Sequence, residues 1–414
     1  MKFHWKIIIG MAAGVVVGLT INESSAVPSA IKTPFSVVFT PIIGPIGQIF
    51  IKLLMMLIVP LIMASMITGV ARVGDIRKLG GLGAKTFLYY LVTTFASVLV
   101  GLILVNILRP GAGAPTIGGD VPDVVRTQVT IGSVLLNMIP ANPVKAMAEM
   151  QILPLIVFSL LFGAVLTTIG NKGRPLIDLF ESLNAAMMKL TDWVIRLAPY
   201  GVFALLAAVV AESGPGIFAN LGKYMATVLL GLAFHALVTL PILLKLVGGA
   251  NPKRYFEKVA TALTTAFSTA SSSATLPLTI DCVETKAKVA PRVSSFVLPL
   301  GATINMDGTA LYESVAAVFI AQVYGIDLSF GQQVLIFLTA TLAAIGAAGI
   351  PSAGLVTMAI VLNAVGLPLE GIGMILAVDR ILDMCRTSVN VWGDTVGCTV
   401  VARLMGEATP DEIA

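Results

Sequence analysis

The stretch DRILDMCRTSVNVWGD, from Asp379 to Asp394, sets three aspartates, two arginines and an asparagine between the apolar runs GIGMILAV and TVGCTVVA. On a helix at about 100° per residue, Asp379, Asp383, Arg386, Asn390 and Asp394 fall near 0°, 40°, 340°, 20° and 60°. One narrow stripe therefore gathers almost all the polar chemistry. The guanidinium of Arg386 is a planar fork that fits a carboxylate through two hydrogen bonds. Charges in an apolar helix face a bundle interior or a cavity and mark substrate or ion pathways. A plainer reading is a set of ion pairs that only tie helices together. The aspartates outnumber their cationic partners, which counts against it. Arg380 lies off the stripe, where its long chain can snorkel. Asp379, nearest the outer end, fits an interfacial position.

A second polar segment, LPLGATINMDGTALYE, carries Asn305 and Asp307, followed by Gly308. The glycine weakens the helix and frees carbonyl oxygens. Carboxylate, amide and carbonyl oxygens suit hard cations. Without the spacing of a calcium loop, an interrupted helix points to a small alkali cation. Glu313 follows in an apolar run. Burial there disfavours its charged form, so it suits a proton carrier, with a hydrogen-bonded structural carboxyl as the plainer alternative.

These groups need elements to hold them in an apolar medium. The chain has 414 residues, 57% hydrophobic and only 12% charged, against about 25% charged in a soluble domain. Its 39 glycines fit closely packed helices in lipid. This is the composition of an integral membrane protein. The net charge of +4 is spread over loops and implies no nucleic-acid partner. Cys282, Cys385 and Cys398 lie in or beside apolar runs, which argues against a disulfide framework. His4 and His235 are far apart, so a histidine metal or nucleophile site is not expected, and His235 reads as a packed helix residue. The run from Ile7 to Ile21, followed by SSAVPSA, has features of a leader peptide. The many spans after it favour a first helix instead.

Spans of about 20 apolar residues read near 6–27, 40–71, 84–108, 130–169, 182–211 and 222–249, with blocks at 257–284, 292–324, 331–366 and 370–404. Lys and Arg cluster in alternate loops, which places both termini in the cytoplasm. Two blocks are interrupted, one at Ser271, Ser272 and Ser273, the other at GAAGIPSAG. Each half has about 10–15 residues, or about 15–22 Å, too short for a hydrocarbon core of about 30 Å. Basic residues flank both ends of the first block and neither end of the second. They read as re-entrant hairpins entering from opposite faces, each followed by a polar span. Inverted repeats with broken helices mark secondary transporters. The expected fold is therefore an all-α polytopic membrane protein: eight transmembrane helices and two oppositely inserted re-entrant helical hairpins.

STASSSAT, LPLGATINMDGTALYE, GAAGIPSAG and DMCRTSVNVWGD, in that order, resemble the glutamate/neutral amino acid transporter family, the dicarboxylate/amino acid:cation symporters. The resemblance covers essentially the whole chain. It implies a homotrimer in the inner or plasma membrane, working by an elevator mechanism. Scaffold parts would be 1–75 (spans 1–2) and 128–220 (spans 4–5). The mobile transport domain would be 76–127 (span 3 and an external loop) and 221–414. It implies that Arg386 pairs with the side-chain carboxylate of an acidic amino acid and that Asp383 holds its amino group. Thr387, Asn390, Thr309, Ser272, Ile350 and Gly354 would complete the pocket. Sodium would be held by Asn305, Asp307, Asn390, Asp394 and the Gly301 carbonyl, by Thr303 with second-hairpin carbonyls, and by Tyr90, Thr93 and Thr94. Sodium is a coupling ion, and no cofactor is implied. Glu313 is similar to the proton-carrying glutamate of the animal members, which adds proton coupling and leaves potassium countertransport open.

Two positions depart from the family pattern: Ala270 and Met384 stand where archaeal and animal members respectively have an arginine. Gating and kinetics of those members do not carry over there. Neutral amino acid or C4-dicarboxylate symport stays open as an alternative, although neutral carriers lack the arginine at 386. Outside the family, an intramembrane protease would need a GxSG or GxGD motif, and neither occurs. The chain reads as no enzyme. An ion channel is the remaining class, and occluding hairpins favour a carrier.

Overall fold

The computed structural model describes residues 3–22, 29–73, 81–114, 131–345 and 354–407. Among them every regular element is helical. The order is α1 (Phe3–Ile21), α2 (Ser29–Val73), α3 (Gly81–Leu108), α4 (Ile131–Asn137), α5 (Pro143–Ala148), α6 (Ile152–Thr168), α7 (Arg174–Arg196), α8 (Ala198–Ser213) and α9 (Ile217–Phe234). There follow α10 (Leu240–Leu243), α11 (Pro252–Thr269), α12 (Ser272–Asp281), α13 (Pro291–Ile304), α14 (Asp307–Val323), α15 (Phe330–Ile345), α16 (Gly354–Val365) and α17 (Ile372–Leu404). Ile43–Ala71, Gly81–Leu108 and Ile217–Gly248 are each apolar and long enough to cross a membrane. The α7–α8 pair is a further candidate, bent by 53°.

The apolar block at 130–169 is not one span. It divides into α4, α5 and α6. Pro140 and Pro143 remove backbone donors between the first two pieces. Asn142 caps α5 by accepting from the Val144 and Lys145 amides. Met150 then takes a left-handed backbone with φ 52° before α6 starts. Apolar content concealed these breaks.

Two packing groups are visible. α2 packs on α6, α7 and α8, and α1 on α8. Gly14 and Gly18 allow the last contact: a Cβ on either would stand 2.6 or 2.7 Å from the carbonyl oxygens of Phe203 and Ala207. Small residues at this spacing let helix backbones touch. In the second group α14 lies at the centre, against α3, α9, α15, α16 and α17. Nearly every α14 residue is buried, as expected of a helix enclosed on all sides.

Three interruptions place the polar groups. α11 ends at Ala270, which adopts a left-handed backbone. Ser271 then caps α12 through the Ala274 amide. The two helices pack side by side, as do α15 and α16. Between α13 and α14, Asn305 is extended, and the chain restarts as helix at Asp307.

Candidate functional site

The break between α13 and α14 exposes amides and carbonyls within the bundle, so polar side chains must line it. Asp307 opens α14, where a helix N-terminus favours a carboxylate. Its Oδ1 accepts the Thr94 hydroxyl at 2.7 Å, and its backbone oxygen accepts Ser97 at 2.6 Å. Its Oδ2 lies 3.2 Å from Nε2 of His235. In the break, the Asn305 amide donates to Asp394 Oδ1 at 2.9 Å, and the Thr93 hydroxyl reaches Asn305 Oδ1 at 3.5 Å. Gly301 faces both Asp394 and the Tyr90 hydroxyl so closely that a Cβ would overlap them. Tyr90 donates to the Val297 carbonyl at 2.8 Å. Tyr90, Thr93, Thr94, Gly301, Asn305, Asp307 and Asp394 thus converge from α3, α13, α14 and α17, all buried. The donor set is oxygen-rich and suits an alkali cation.

One turn away, Asn390 binds α14 on both sides of its amide. Its Oδ1 accepts the Gly308 amide at 2.7 Å, and its Nδ2 reaches Thr309 Oγ1 at 3.3 Å and Met306 Sδ at 3.2 Å. Arg386 follows, 1% exposed. Its Nη1 donates to Asp379 Oδ1 at 2.9 Å, its Nε to Asp383 Oδ1 at 3.1 Å, and Nη2 lies 2.9 Å from that same oxygen without an in-line hydrogen bond. Its Cζ stands 4.2 Å from the Tyr312 ring centroid, and the Tyr312 hydroxyl donates to Asp379 at 2.7 Å. Breaking one partner of such a buried pair costs about 3–5 kcal/mol. Gly354, the first residue of α16, lies directly over the guanidinium.

Asp379 is not exposed at the protein surface. It is buried, with Tyr312 and Arg386 as partners. Thr387 is buried, but its hydroxyl donates to the Asp383 carbonyl of its own helix. Ser272 is buried at the start of α12 and makes no hydrogen bond to the stripe among the described residues. Thr303 is half-buried, and its hydroxyl donates to Leu300, away from the oxygen cluster. Ile350 lies outside the described residues, and so do the second-hairpin carbonyls of its segment. Glu313 is wholly buried, and neither carboxyl oxygen has a hydrogen bond of good geometry. The Thr357 hydroxyl of α16 and the charge of Arg386 are its polar neighbours.

Sequence reasoning missed His235, Ser97 and Tyr312. A lone histidine in an apolar helix has no periodic partner to reveal it. Ser97 is a lone hydroxyl in the apolar run FASVLV. Tyr312 lies beside Glu313, the stronger signal in that segment.

A buried arginine and an oxygen-lined cluster, held at helix breaks inside a bundle of apolar helices, describe a membrane transport protein. Residues 3–404 match the model of the sodium:dicarboxylate symporter family, and the chain belongs to that family. Among its relatives, excitatory amino acid transporter 3 of Mus musculus is 40% identical, over 98% of this chain and 86% of its own length. An excitatory amino acid transporter of Caenorhabditis elegans is 40% identical, over 86% and 80%. The proton/glutamate-aspartate symporter of Escherichia coli (strain K12) is 38% identical, over 96% and 92%.

Proposed function

We propose that this protein is a secondary active symporter that takes up acidic amino acids, aspartate or glutamate, with sodium. The observation that carries the reading is Arg386: a wholly buried guanidinium on the same helix face as Asn390 and Asp394, one turn from the oxygen cluster. The fork takes the substrate's side-chain carboxylate, and Asp383 takes its amino group. Thr309, Thr387, Asn390, Ser272, Gly354 and Ile350 complete the pocket. Asp307, Asp379, Asp383 and Asp394 outnumber Arg386 and Arg380, whose Nη1 lies 3.5 Å from Asp383, and an acidic substrate adds a further negative charge. Unneutralised charge at membrane depth costs about 2.5–3.5 kcal/mol or more per group. Bound sodium ions supply the neutralisation, held by Tyr90, Thr93, Thr94, Gly301, Thr303, Asn305, Asp307, Asn390 and Asp394.

Glu313 favours a second coupling, to protons. A wholly buried carboxyl whose polar neighbours are one threonine hydroxyl and the charge of Arg386 carries charge only at high cost, so the loaded carrier crosses with Glu313 neutral. Return with Glu313 ionised and potassium bound completes the cycle.

The architecture is eight spans with two opposed hairpins, α11–α12 and α15–α16, in a multi-pass cell-membrane protein with cytoplasmic termini. The group around α14 forms the moving transport domain, and the group around α2 the scaffold of a homotrimer. The two packing groups support this division. Uptake of labelled aspartate and glutamate into proteoliposomes tests the reading. Uptake must require an inward sodium gradient and collapse when choline replaces sodium. Equal uptake in choline refutes sodium coupling, and uptake of neutral amino acids or succinate in preference refutes the substrate class.

A further inference from the structure

α9 and α10 form one continuous helix, Ile217–Gly248, in which two turns widen to π geometry, His235–Thr239 and Leu244–Gly248. A π turn inserts an extra residue and frequently marks a functional site. The first one touches two of the elements that build the cation cluster. His235 is wholly buried, its Nε2 3.2 Å from Asp307 Oδ2 on α14. The next carbonyl, Ala236 O, accepts the indole N–H of Trp392 at 3.1 Å. Trp392 lies on α17 between Asn390 and Asp394.

Facing a carboxylate oxygen, Nε2 must carry the ring hydrogen, because the other tautomer would set a lone pair against it. Nδ1 has no partner among the described residues. A residue present only for packing would avoid that loss, since leucine has no polar atom to strand. Among the described residues, the contact with Asp307 is the one polar reason for a histidine here.

We infer that His235 is a positioning residue for the cation site. Its Nε2–H holds Asp307 Oδ2, which fixes the carboxylate so that Oδ1, beside the Thr94 hydroxyl, faces the cation. The π turn sets the ring at the required depth and ties α17 to the same point through Trp392. Partners that orient a metal-binding group are worth about 10–100-fold in metal affinity. The inference rests on the proposed reading of Asp307 as a cation ligand.

The test is sodium binding to the purified full chain without substrate, by isothermal titration calorimetry. Trp392 fluorescence serves as a local reporter in a Trp5→Phe/Trp193→Phe background, which leaves it the one tryptophan of three. His235→Leu is expected to raise the sodium half-saturation at least tenfold. His235→Gln, whose amide can donate to Oδ2, is expected to stay within about threefold of wild type. If His235→Leu does not fold, His235→Asn takes its place, since its amide is too short to reach Oδ2. Wild-type sodium affinity in the Leu or Asn variant, or equal impairment in Gln, overturns the inference. Asp307→Asn separates the two readings. If it leaves sodium affinity unchanged, the cation ligand itself is misassigned and both fall. If it weakens binding while His235→Leu does not, only the positioning role falls.

Discussion

Replacing Gly354 by alanine adds one methyl group directly against the Arg386 guanidinium, in the proposed substrate pocket. A Cβ there would stand 2.7 Å from Nη2 of Arg386, 2.9 Å from Cζ and 3.2 Å from Nη1. Ordinary contact begins at 3.4 Å, so the methyl is about 0.7 Å too close. The guanidinium has little room to retreat, because Asp379, Asp383 and the Tyr312 ring hold it. The start of α16 must move away instead, which changes the wall of the proposed pocket. Overpacking of this size costs about 1–3 kcal/mol, or about 5- to 150-fold in affinity at about 1.4 kcal/mol per tenfold. Equilibrium binding of aspartate and glutamate at saturating sodium measures it directly. The same change in an Arg386→Ser background removes the clash, so its cost in thermal stability is expected to shrink there. Wild-type affinity in Gly354→Ala, or an equal stability loss in both backgrounds, refutes the reasoning.

Arg386→Cys removes the fork, and acidic-substrate affinity is expected to fall at least 100-fold, with small neutral amino acids gaining entry; two charge-assisted hydrogen bonds of about 1.5–3 kcal/mol each set that scale. Competition binding with aspartate and serine checks it, and unchanged aspartate affinity places the carboxylate elsewhere. Gly301→Ala pushes a methyl into Asp394 and the Tyr90 hydroxyl, so sodium affinity is expected to drop at least tenfold, read by sodium titration of the substrate-free protein. Glu313→Gln mimics the neutral acid, so exchange of labelled for unlabelled substrate is expected to persist while substrate-driven proton influx is lost. Paired exchange and pH-dye measurements in proteoliposomes decide it, and wild-type proton influx in the variant removes Glu313 from the proton pathway.

The stripe on α17 was legible because polar residues at helical period contrast sharply with an apolar background. Asp383, Arg386, Asn390 and Asp394 are all buried on one side, as their spacing requires. The break at Asn305 was legible for a related reason: a carboxylate and an amide beside a glycine make a poor helix interior. Depth was not legible. Periodicity gives an angle around an axis but no partner, so nothing local in the sequence announces that Tyr312 and Arg386 hold Asp379. Partners on distant helices leave no local trace, which hid His235 and Ser97. The hydroxyls of Ser272, Thr303 and Thr387 were placed by resemblance, and the rotamers of Thr303 and Thr387 turn toward their own helices. Prolines and the left-handed Met150 within an apolar block changed one expected span into three helices, because hydrophobicity reports burial and not continuity.

The charged stripe also bears on how the protein is made. α17 has 33 residues, so about 50 Å of helix, ample to cross a bilayer. Yet Asp379, Arg380, Asp383, Arg386 and Asp394 each oppose entry into lipid by up to about 2.5–3.5 kcal/mol near the centre of a span. Together they amount to on the order of 10 kcal/mol against insertion of the isolated helix. The break after α13 and the helix α14 are synthesised earlier and offer Asn305, Gly308, Thr309 and Tyr312 as ready-made contacts. Insertion of α17 is therefore conditional: the ribosome delivers a helix that the bilayer alone rejects and only the assembled bundle accepts. The polar stripe proposed to hold substrate thereby ties the insertion of its own helix to the rest of the bundle.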